Sequence, residues 1–157
     1  MMSHAERWEP DLVRGIAEEL KEQEGALLPI LHKLNERFGY VDGRAAPLLA
    51  EVLNLSRAEV HGVISFYHDF RTAPAGTVSV KVCRAEACQS MGALALIERL
   101  CARHHIALGD TSAAGVTIEP VYCLGNCACA PAAMVNGRLH GRLDAERLDR
   151  LVAEQQS

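Results

Sequence analysis

Two stretches, Cys83-Arg-Ala-Glu-Ala-Cys88 and Cys123-Leu-Gly-Asn-Cys127, decide how this chain folds. Each comes directly after a run of β-forming residues, so each places a pair of cysteines on a loop at the end of a predicted strand. The chain has 157 residues, and all six of its cysteines lie between Cys83 and Cys129. The sequence therefore predicts a fold that brings two paired-cysteine loops together.

The four cysteines of these loops are suited to bind a [2Fe-2S] cluster. In such a cluster two tetrahedral irons share two sulfides, and each iron takes two thiolates from the protein. We predict that the ligands are Cys83, Cys88, Cys123 and Cys127. Gly125 would let the second loop approach closely and point its backbone amides at the negatively charged sulfurs.

Other roles for the cysteines stay open. Four paired cysteines also bind structural zinc, although a C-x4-C pair combined with a C-x3-C pair is an unusual spacing for zinc. Disulfides are less expected, because cytosolic thiols stay reduced. Cys101 lies on the apolar side of a predicted helix and is expected in the core. Cys129 would form a wider loop with Cys123; we keep Cys127 as the ligand and interpret Cys129 as a neighbouring thiol.

Composition and charge argue against several classes of function. A formal net charge of −4 disfavours nucleic-acid binding, which needs a basic surface. The N-terminal stretch lacks the apolar segment of a secretory signal, and no run approaches the ~18 apolar residues of a membrane span. We therefore expect a cytoplasmic protein. The sequence contains no nucleophile triad, P-loop or GxGxxG turn, so we predict no catalytic residues.

Residues 1–75 are predicted to form a small bundle of four short helices. Apolar residues recur there at helical spacing, and an excess of acidic residues (12, against 8 basic) accounts for the net charge of the chain. Residues 1–10 are expected to be irregular, with Asp11 as the N-cap of the first helix. Gly39 is expected to end the second helix, and Ser56-Arg-Ala-Glu59 to form a capping box before the fourth. We interpret this part as a docking module, because it shows no catalytic constellation.

Residues 76–157 are predicted to form a compact thioredoxin-like sheet with the element order β-α-β-β-β-α. This order comes from strands at 77–82 and 116–122, a helix at 92–104, a hairpin around Asn136-Gly137, and a final helix capped by Asp144. Pro120 cannot donate a hydrogen bond to a neighbouring strand, so its strand is expected near an edge of the sheet or with a bulge at that residue. The predicted fold class is α+β, with a boundary near Thr72-Ala-Pro-Ala-Gly76.

Most of the chain, from about residue 27 to residue 151, resembles the thioredoxin-like [2Fe-2S] subunit of NADH dehydrogenase modules. That family includes the smaller flavoprotein subunit of respiratory complex I, the matching subunit of NAD-linked hydrogenases, and the gamma subunit of NAD-dependent molybdenum formate dehydrogenases. Any one of the matching stretches would be weak alone, but together they are specific. They are Leu28-Pro-Ile-Leu31, Phe38-Gly-Tyr40, Val60-His-Gly-Val-Ile-Ser-Phe-Tyr67, Val82-Cys83 with Cys88, and Cys123-Leu-Gly-Asn-Cys127 followed by Ala130-Pro131.

The resemblance implies an electron-transfer protein that has no substrate site of its own. Its cluster would be held by Cys83, Cys88, Cys123 and Cys127. The protein would exchange electrons with the FMN of a larger flavoprotein that also binds NAD, and it would dock to that partner through its helical half and the surface around the cluster. In related enzymes the cluster lies on the far side of FMN from the main chain of clusters, which implies storage of one electron rather than relay of every electron.

Three stretches resemble the formate dehydrogenase gamma subunit most closely: Ser65-Phe-Tyr-His-Asp-Phe70, Arg84-Ala-Glu-Ala-Cys-Gln-Ser-Met-Gly92 and Cys127-Ala-Cys-Ala-Pro131. We therefore predict a subunit of a soluble NAD-dependent formate dehydrogenase, which converts formate and NAD+ to CO2 and NADH. Its partners would be the flavoprotein (beta) subunit and a molybdenum-containing catalytic (alpha) subunit. The same subunit in an NAD-linked hydrogenase or in respiratory complex I is the alternative, and a structural zinc-binding adaptor is the alternative from a different class.

Overall fold

The computed structural model describes residues 8–156. The chain divides into two compact units, with Pro74 the last residue of the first unit and Ala75 the first residue of the second. Residues 1–7, which belong to the N-terminal stretch predicted to be irregular, lie outside the described residues. Between residues 8 and 156, no helix is both long enough and apolar enough to cross a membrane.

The described part of the first unit, residues 8–74, is a bundle of four helices. They are α1 (Pro10–Leu20), α2 (Leu27–Phe38), α3 (Ala45–Leu53) and α4 (Arg57–Phe66). Each helix buries one apolar stripe, as the helical spacing of its apolar residues predicts. Fully buried side chains at the centre of this core are Ile30, Leu31, Leu34, Phe38, Leu49 and Val60. The prediction of a small helical bundle is therefore confirmed.

The ends of these helices follow from local chemistry. The Ser56 hydroxyl accepts a hydrogen bond from the Glu59 amide at 3.1 Å, and the Glu59 carboxylate accepts one from the Ser56 amide at 2.8 Å, so the predicted capping box is confirmed. Gly39 ends α2 in the left-handed conformation, with a φ of 77°. The prediction that Asp11 caps α1 is wrong. Glu9 occupies that position, because Pro10 fits the first turn, where its missing N–H removes no helical hydrogen bond.

The second unit is built on a four-stranded sheet whose strands lie in the order β2-β1-β3-β4. The strands are β1 (Val78–Cys83), β2 (Val116–Val121), β3 (Ala133–Val135) and β4 (Arg138–His140). The helices are α5 (Glu86–Ser90), α6 (Ala93–His104) and α7 (Ala145–Gln156). Strands β1 and β2 are parallel, whereas β3 is antiparallel to both β1 and β4. The mixed α+β class, with a helical bundle before the unit that contains the sheet, is confirmed.

The turns and edges of the sheet match their sequence signals. Asn136 and Gly137 both have positive φ, at 46° and 79°, as a two-residue turn between β3 and β4 requires. Strand β2, which contains Pro120, is an edge strand, so the proline costs no hydrogen bond to a second neighbour. The carboxylate of Asp144 accepts a hydrogen bond from the Arg147 amide at 2.7 Å, which confirms the predicted cap of α7.

Helix α5 is an element of the second unit that the sequence did not predict. The stretch between Cys83 and Cys88 was expected to be a loop, but Cys88 lies on this short helix. Local hydrogen bonds hold the turn: the Gln89 side-chain amide donates to the Arg84 carbonyl, and the Ser90 hydroxyl donates to the Ala87 carbonyl. The first cysteine pair therefore sits on a more rigid support than a loop would give.

Candidate metal centre

The topology of the sheet brings the two cysteine loops together. Cys83 is the last residue of β1, and its partner in register on the parallel strand β2 is Val121. Parallel strands end at the same edge of a sheet, so the loop that leaves β2 towards Cys123 begins beside Cys83. Beyond it, a 3₁₀ turn spans Cys127–Cys129.

The four predicted ligands form two pairs with different exposure. Cys83 and Cys88 are each 2% exposed and share a small apolar cluster with Ala93 and Ala132. Cys123 and Cys127 are exposed, and their sulfur atoms lie 3.8 Å apart. One pair is therefore anchored in the protein interior, and the other lies at the surface.

Each pair contains one thiol whose pKa is raised. Burial raises the pKa of the Cys88 thiol, a hydrogen bond with Cys83 adds to this effect, and the backbone amide of Ala132 opposes it. The pKa of the Cys127 thiol is raised chiefly by a hydrogen bond with Cys123 and then by the charge of that thiolate. Four thiolates at this site would repel one another, so bound cations are needed to offset their charge. Ferric irons are such cations, and the donor set fits them.

Backbone amides donate hydrogen bonds to these sulfur atoms. The Gly125 amide donates to the Cys123 sulfur at 3.3 Å, which the left-handed φ of Gly125, 72°, makes possible. The Ala132 amide donates to the Cys88 sulfur and lowers the pKa of that thiol. Such N–H groups stabilise anionic sulfur without a counter-ion. The φ of Cys123 is also positive, at 125°, a conformation that is costly for any residue other than glycine and that commonly occurs at functional sites.

The arrangement also bears on the zinc alternative. Among residues 8–156, no three or more His, Cys, Asp or Glu side chains are grouped so that they would hold one metal ion. A structural zinc ion takes four ligands at one centre, and a two-iron cluster takes two thiolates at each iron, so two cysteine pairs suit either group. The spacing of the pairs, C-x4-C with C-x3-C, is the feature that is unusual for zinc.

The two remaining cysteines have different surroundings. Cys101 on α6 packs against the core of the second unit, and burial raises its pKa, as expected for a structural thiol. Cys129 is half-buried in the same 3₁₀ turn as Cys127, and its carbonyl accepts a hydrogen bond from the Arg142 amide at 2.6 Å. The interaction between Cys129 and the segment that begins at Gly141 was not predicted, because the two lie far apart in sequence.

Comparison with protein families agrees with this geometry. A sequence model of the family described as thioredoxin-like [2Fe-2S] ferredoxin matches residues 13–156. The match takes in both units and all six cysteines.

Individual relatives belong to NAD(P)-linked complexes. The chain is 32% identical over 138 residues to the HndA component of the NADP-reducing hydrogenase of Solidesulfovibrio fructosivorans, covering 87% of this chain and 81% of the relative. It is 31% identical over 141 residues to a component of the NADH-quinone oxidoreductase of Rhizobium meliloti (strain 1021), covering 89% of this chain and 84% of that one.

A solved structure agrees in fold. The chain superposes on an NAD+-reducing [NiFe]-hydrogenase in the H2-reduced state with a TM-score of 0.66 and 31% identity, over 83% of this chain. It spans 22% of the length of that hydrogenase chain.

Proposed function

Because the chain belongs to the thioredoxin-like [2Fe-2S] ferredoxin family, whose cofactor is a [2Fe-2S] cluster, we propose that it is the electron-transfer subunit of an NAD-linked oxidoreductase complex. Its cluster ligands in this proposal are Cys83, Cys88, Cys123 and Cys127. The observation that carries the assignment is the registration of Cys83 with Val121 across β1 and β2, which starts both cysteine loops at one edge of the sheet.

The residues of the site perform distinct tasks in this proposal. When bound, the cluster accepts and releases one electron at a time. The buried pair, Cys83 and Cys88, anchors it and excludes water on that side. The exposed pair, Cys123 and Cys127, leaves the other side open to a redox partner. The amides of Gly125 and Ala132 stabilise the negative charge on sulfur and so contribute to the reduction potential.

A flavoprotein is the partner that the chemistry requires. NAD(P)H transfers a hydride, which carries two electrons, and flavins are cofactors that exchange hydrides with nicotinamides. A one-electron carrier therefore needs a flavin between itself and NAD. We assign that role to the FMN of a separate, larger subunit in the cytoplasm. The comparison with the NAD+-reducing hydrogenase supports a larger partner. The present chain matches only 22% of that hydrogenase chain, so most of the hydrogenase chain lies outside the match.

The helical unit is proposed to dock to the flavoprotein. Phe66 is 74% exposed and Tyr67 is 42% exposed, and both line a cavity of about 570 Å³ with Leu27, Leu55 and Val63. Exposed aromatic side chains beside an apolar depression are typical of protein interfaces.

For the parent complex, we propose the NAD-dependent molybdenum formate dehydrogenase. The support is local: the stretches Ser65–Phe70, Arg84–Gly92 and Cys127–Pro131 resemble its gamma subunit. An NAD-linked hydrogenase or a complex I-type NADH-quinone oxidoreductase is the second candidate, favoured by the names of the relatives that the chain matches.

One experiment separates these candidates. The tagged chain is isolated anaerobically from cells that make it at native level, and the purified complex is assayed for NAD+ reduction with formate or with H2, and for NADH oxidation with a quinone. Formate-dependent NAD+ reduction, together with a flavoprotein and a molybdenum subunit, is the expected result. Reduction of NAD+ by H2 alone, or NADH oxidation coupled to quinone, would overturn the formate assignment and leave the cluster assignment standing.

A further inference from the structure

Gly141, which lies between β4 and α7, is in close contact with the turn that carries Cys127. A Cβ atom at Gly141 would lie 2.6 Å from Nδ2 of Asn126, 2.7 Å from Cβ of Cys129 and 2.7 Å from the Cys129 carbonyl oxygen. All three separations are shorter than real Cβ contacts allow. The φ of Gly141 is not positive, so its conformation does not require glycine. The position requires glycine because the space beside the turn is already filled.

Hydrogen bonds continue this contact along the chain. The Arg142 amide donates to the Cys129 carbonyl at 2.6 Å, and the Leu143 amide donates to the Pro131 carbonyl at 3.1 Å. Leu143 is 4% exposed and belongs to the core of the second unit. The turn of Cys127 is therefore tied to that core through the segment 141–143.

The rest of the loop is held less tightly. Leu124 packs against the small cluster of Cys83 and Cys88, but a Cβ atom at Gly125 would meet nothing within 4 Å, and Cys123 and Cys127 are both exposed. Cys83 and Cys88, in contrast, are held by β1 and by α5. Contact of Gly141 with Asn126 and Cys129, on either side of Cys127, is thus one constraint on where the Cys127 sulfur lies relative to the buried pair.

We propose that Gly141 is a positioning residue for the cluster: its lack of a side chain lets the segment 141–143 hold the turn Cys127–Cys129 at the distance that ligation by Cys127 needs. Gly141 would act through Asn126 and Cys129 and would not itself touch the cluster. The inference rests on the proposed function, because it takes Cys127 as a ligand.

The test compares Gly141→Ala with Gly76→Ala in the full chain after anaerobic reconstitution with iron and sulfide. Gly76 is a matched control, because a Cβ there would lie 2.1 Å from the Gly115 carbonyl oxygen. Gly76→Ala therefore also crowds the backbone of the second unit. Gly76 precedes β1, whereas Cys83 ends it, so the two residues are about 20 Å apart at the ordinary rise of a strand. Three quantities are measured for each variant: the EPR spectrum of the reduced protein, the reduction potential, and the rate at which a chelator removes iron.

We expect Gly141→Ala to lose iron to the chelator ~10-fold faster than the wild type, the size of effect seen when support for a metal ligand is removed. Its EPR spectrum should also change. Gly76→Ala should lower the thermal midpoint and leave the EPR spectrum and potential of the folded protein unchanged. If Gly141→Ala matches the wild type in all three quantities, or if both variants shift the spectrum equally, the inference is overturned. A wild-type chain that takes up no cluster would instead overturn the proposed ligands.

A milder variant, Arg147→Ala, tests the role of Gly141 if Gly141→Ala does not fold. The Arg147 guanidinium donates to the Gly141 carbonyl at 3.2 Å, and Arg147 is exposed on α7. Arg147→Ala removes this tether, and Arg150→Ala removes an exposed arginine from the same helix as its control. Faster loss of iron from Arg147→Ala than from Arg150→Ala is expected, and equal rates would overturn the inference.

Discussion

Cys83 and Val121 are partners in register across the parallel strands β1 and β2. This pairing links the starts of two cysteine loops whose cysteine pairs are separated by 34 residues of sequence. Because both strands end at the same edge, the short connection from Val121 to Cys123 is enough to place the second loop beside the first. The fold therefore starts both cysteine loops at one edge of the sheet.

Replacement of single cysteines tests the proposed ligands. Each single substitution of serine for Cys83, Cys88, Cys123 or Cys127 should lower cluster retention by more than ~10-fold. Loss of a ligand should have a larger effect than loss of a residue that supports a ligand. Cys101→Ser and Cys129→Ser should retain the cluster. The measurement is iron and sulfide per chain after anaerobic reconstitution, with visible absorbance as a second readout.

The same series decides between Cys127 and Cys129. Loss of the cluster in Cys129→Ser and its retention in Cys127→Ser would contradict the ligand set. Binding of zinc at one ion per chain by the wild type, without colour, would contradict the cluster itself.

The elements that sequence predicts well are those whose signal is local. Asn136-Gly137 predicts its turn because both residues tolerate positive φ, and Ser56-Arg-Ala-Glu59 predicts its helix start because the two hydrogen bonds join residues three apart. The four paired cysteines likewise stand out by spacing alone. These features need no knowledge of the rest of the fold.

The features that escaped prediction depend on length or on distant contacts. Helix α5, Glu86–Ser90, has five residues, too few to show a helical period. The contact between Gly141 and Asn126 joins residues that are far apart in sequence, and a glycine does not reveal whether it serves backbone conformation or close packing. Gly39 is needed because its backbone is left-handed, whereas Gly141 is needed because a side chain would not fit there.

Gly125 combines a left-handed conformation, which glycine adopts readily, with a hydrogen bond to sulfur. Gly125→Ala should destabilise the protein by ~1–2 kcal/mol, because alanine is disfavoured in the left-handed conformation that Gly125 adopts at a φ of 72°. Distortion of the amide that donates to the Cys123 sulfur should also lower the reduction potential, because less negative charge is stabilised. Thermal unfolding and a redox titration measure the two effects.

Gly15→Ala is the matched control for that variant. Gly15 lies within α1 and a Cβ there meets nothing within 4 Å, so alanine should stabilise the helix by ~0.5–1 kcal/mol. An unchanged potential is expected, since the substitution is in the helical unit. A potential that shifts equally in both variants would show that the Gly125 amide has no specific role.

The capping box of α4 should make stability depend on pH. The backbone amide of Ser56, and then its hydroxyl, lower the pKa of the Glu59 carboxyl by hydrogen bonding to it. A carboxyl whose pKa is lower in the folded state stabilises the fold above its unfolded pKa, and this contribution is lost as pH falls through the folded pKa. The thermal midpoint of the wild type should therefore exceed that of Glu59→Gln at neutral pH, and the difference should shrink in acid.

The hydrogen bonds between Ser56 and Glu59 can be tested from both residues. A difference between wild type and Glu59→Gln that stays constant from neutral to acidic pH would contradict the charge effect. Ser56→Ala removes the hydroxyl that caps the helix and should cost ~1 kcal/mol at neutral pH.

The variant Phe66→Asp tests whether the helical unit docks to the flavoprotein. Its side chain is 74% exposed, so Phe66→Asp should leave the unfolding transition and the iron content unchanged. An aromatic side chain that becomes buried in an interface commonly contributes ~2 kcal/mol or more, so the dissociation constant for the flavoprotein should rise by more than ~10-fold. His61→Asp places the same charge on the same helix at an exposed residue that does not line the cavity, and it should bind normally. Titration of the reconstituted variants against the purified flavoprotein gives both constants, and equal affinity for the two variants would place the docking surface elsewhere.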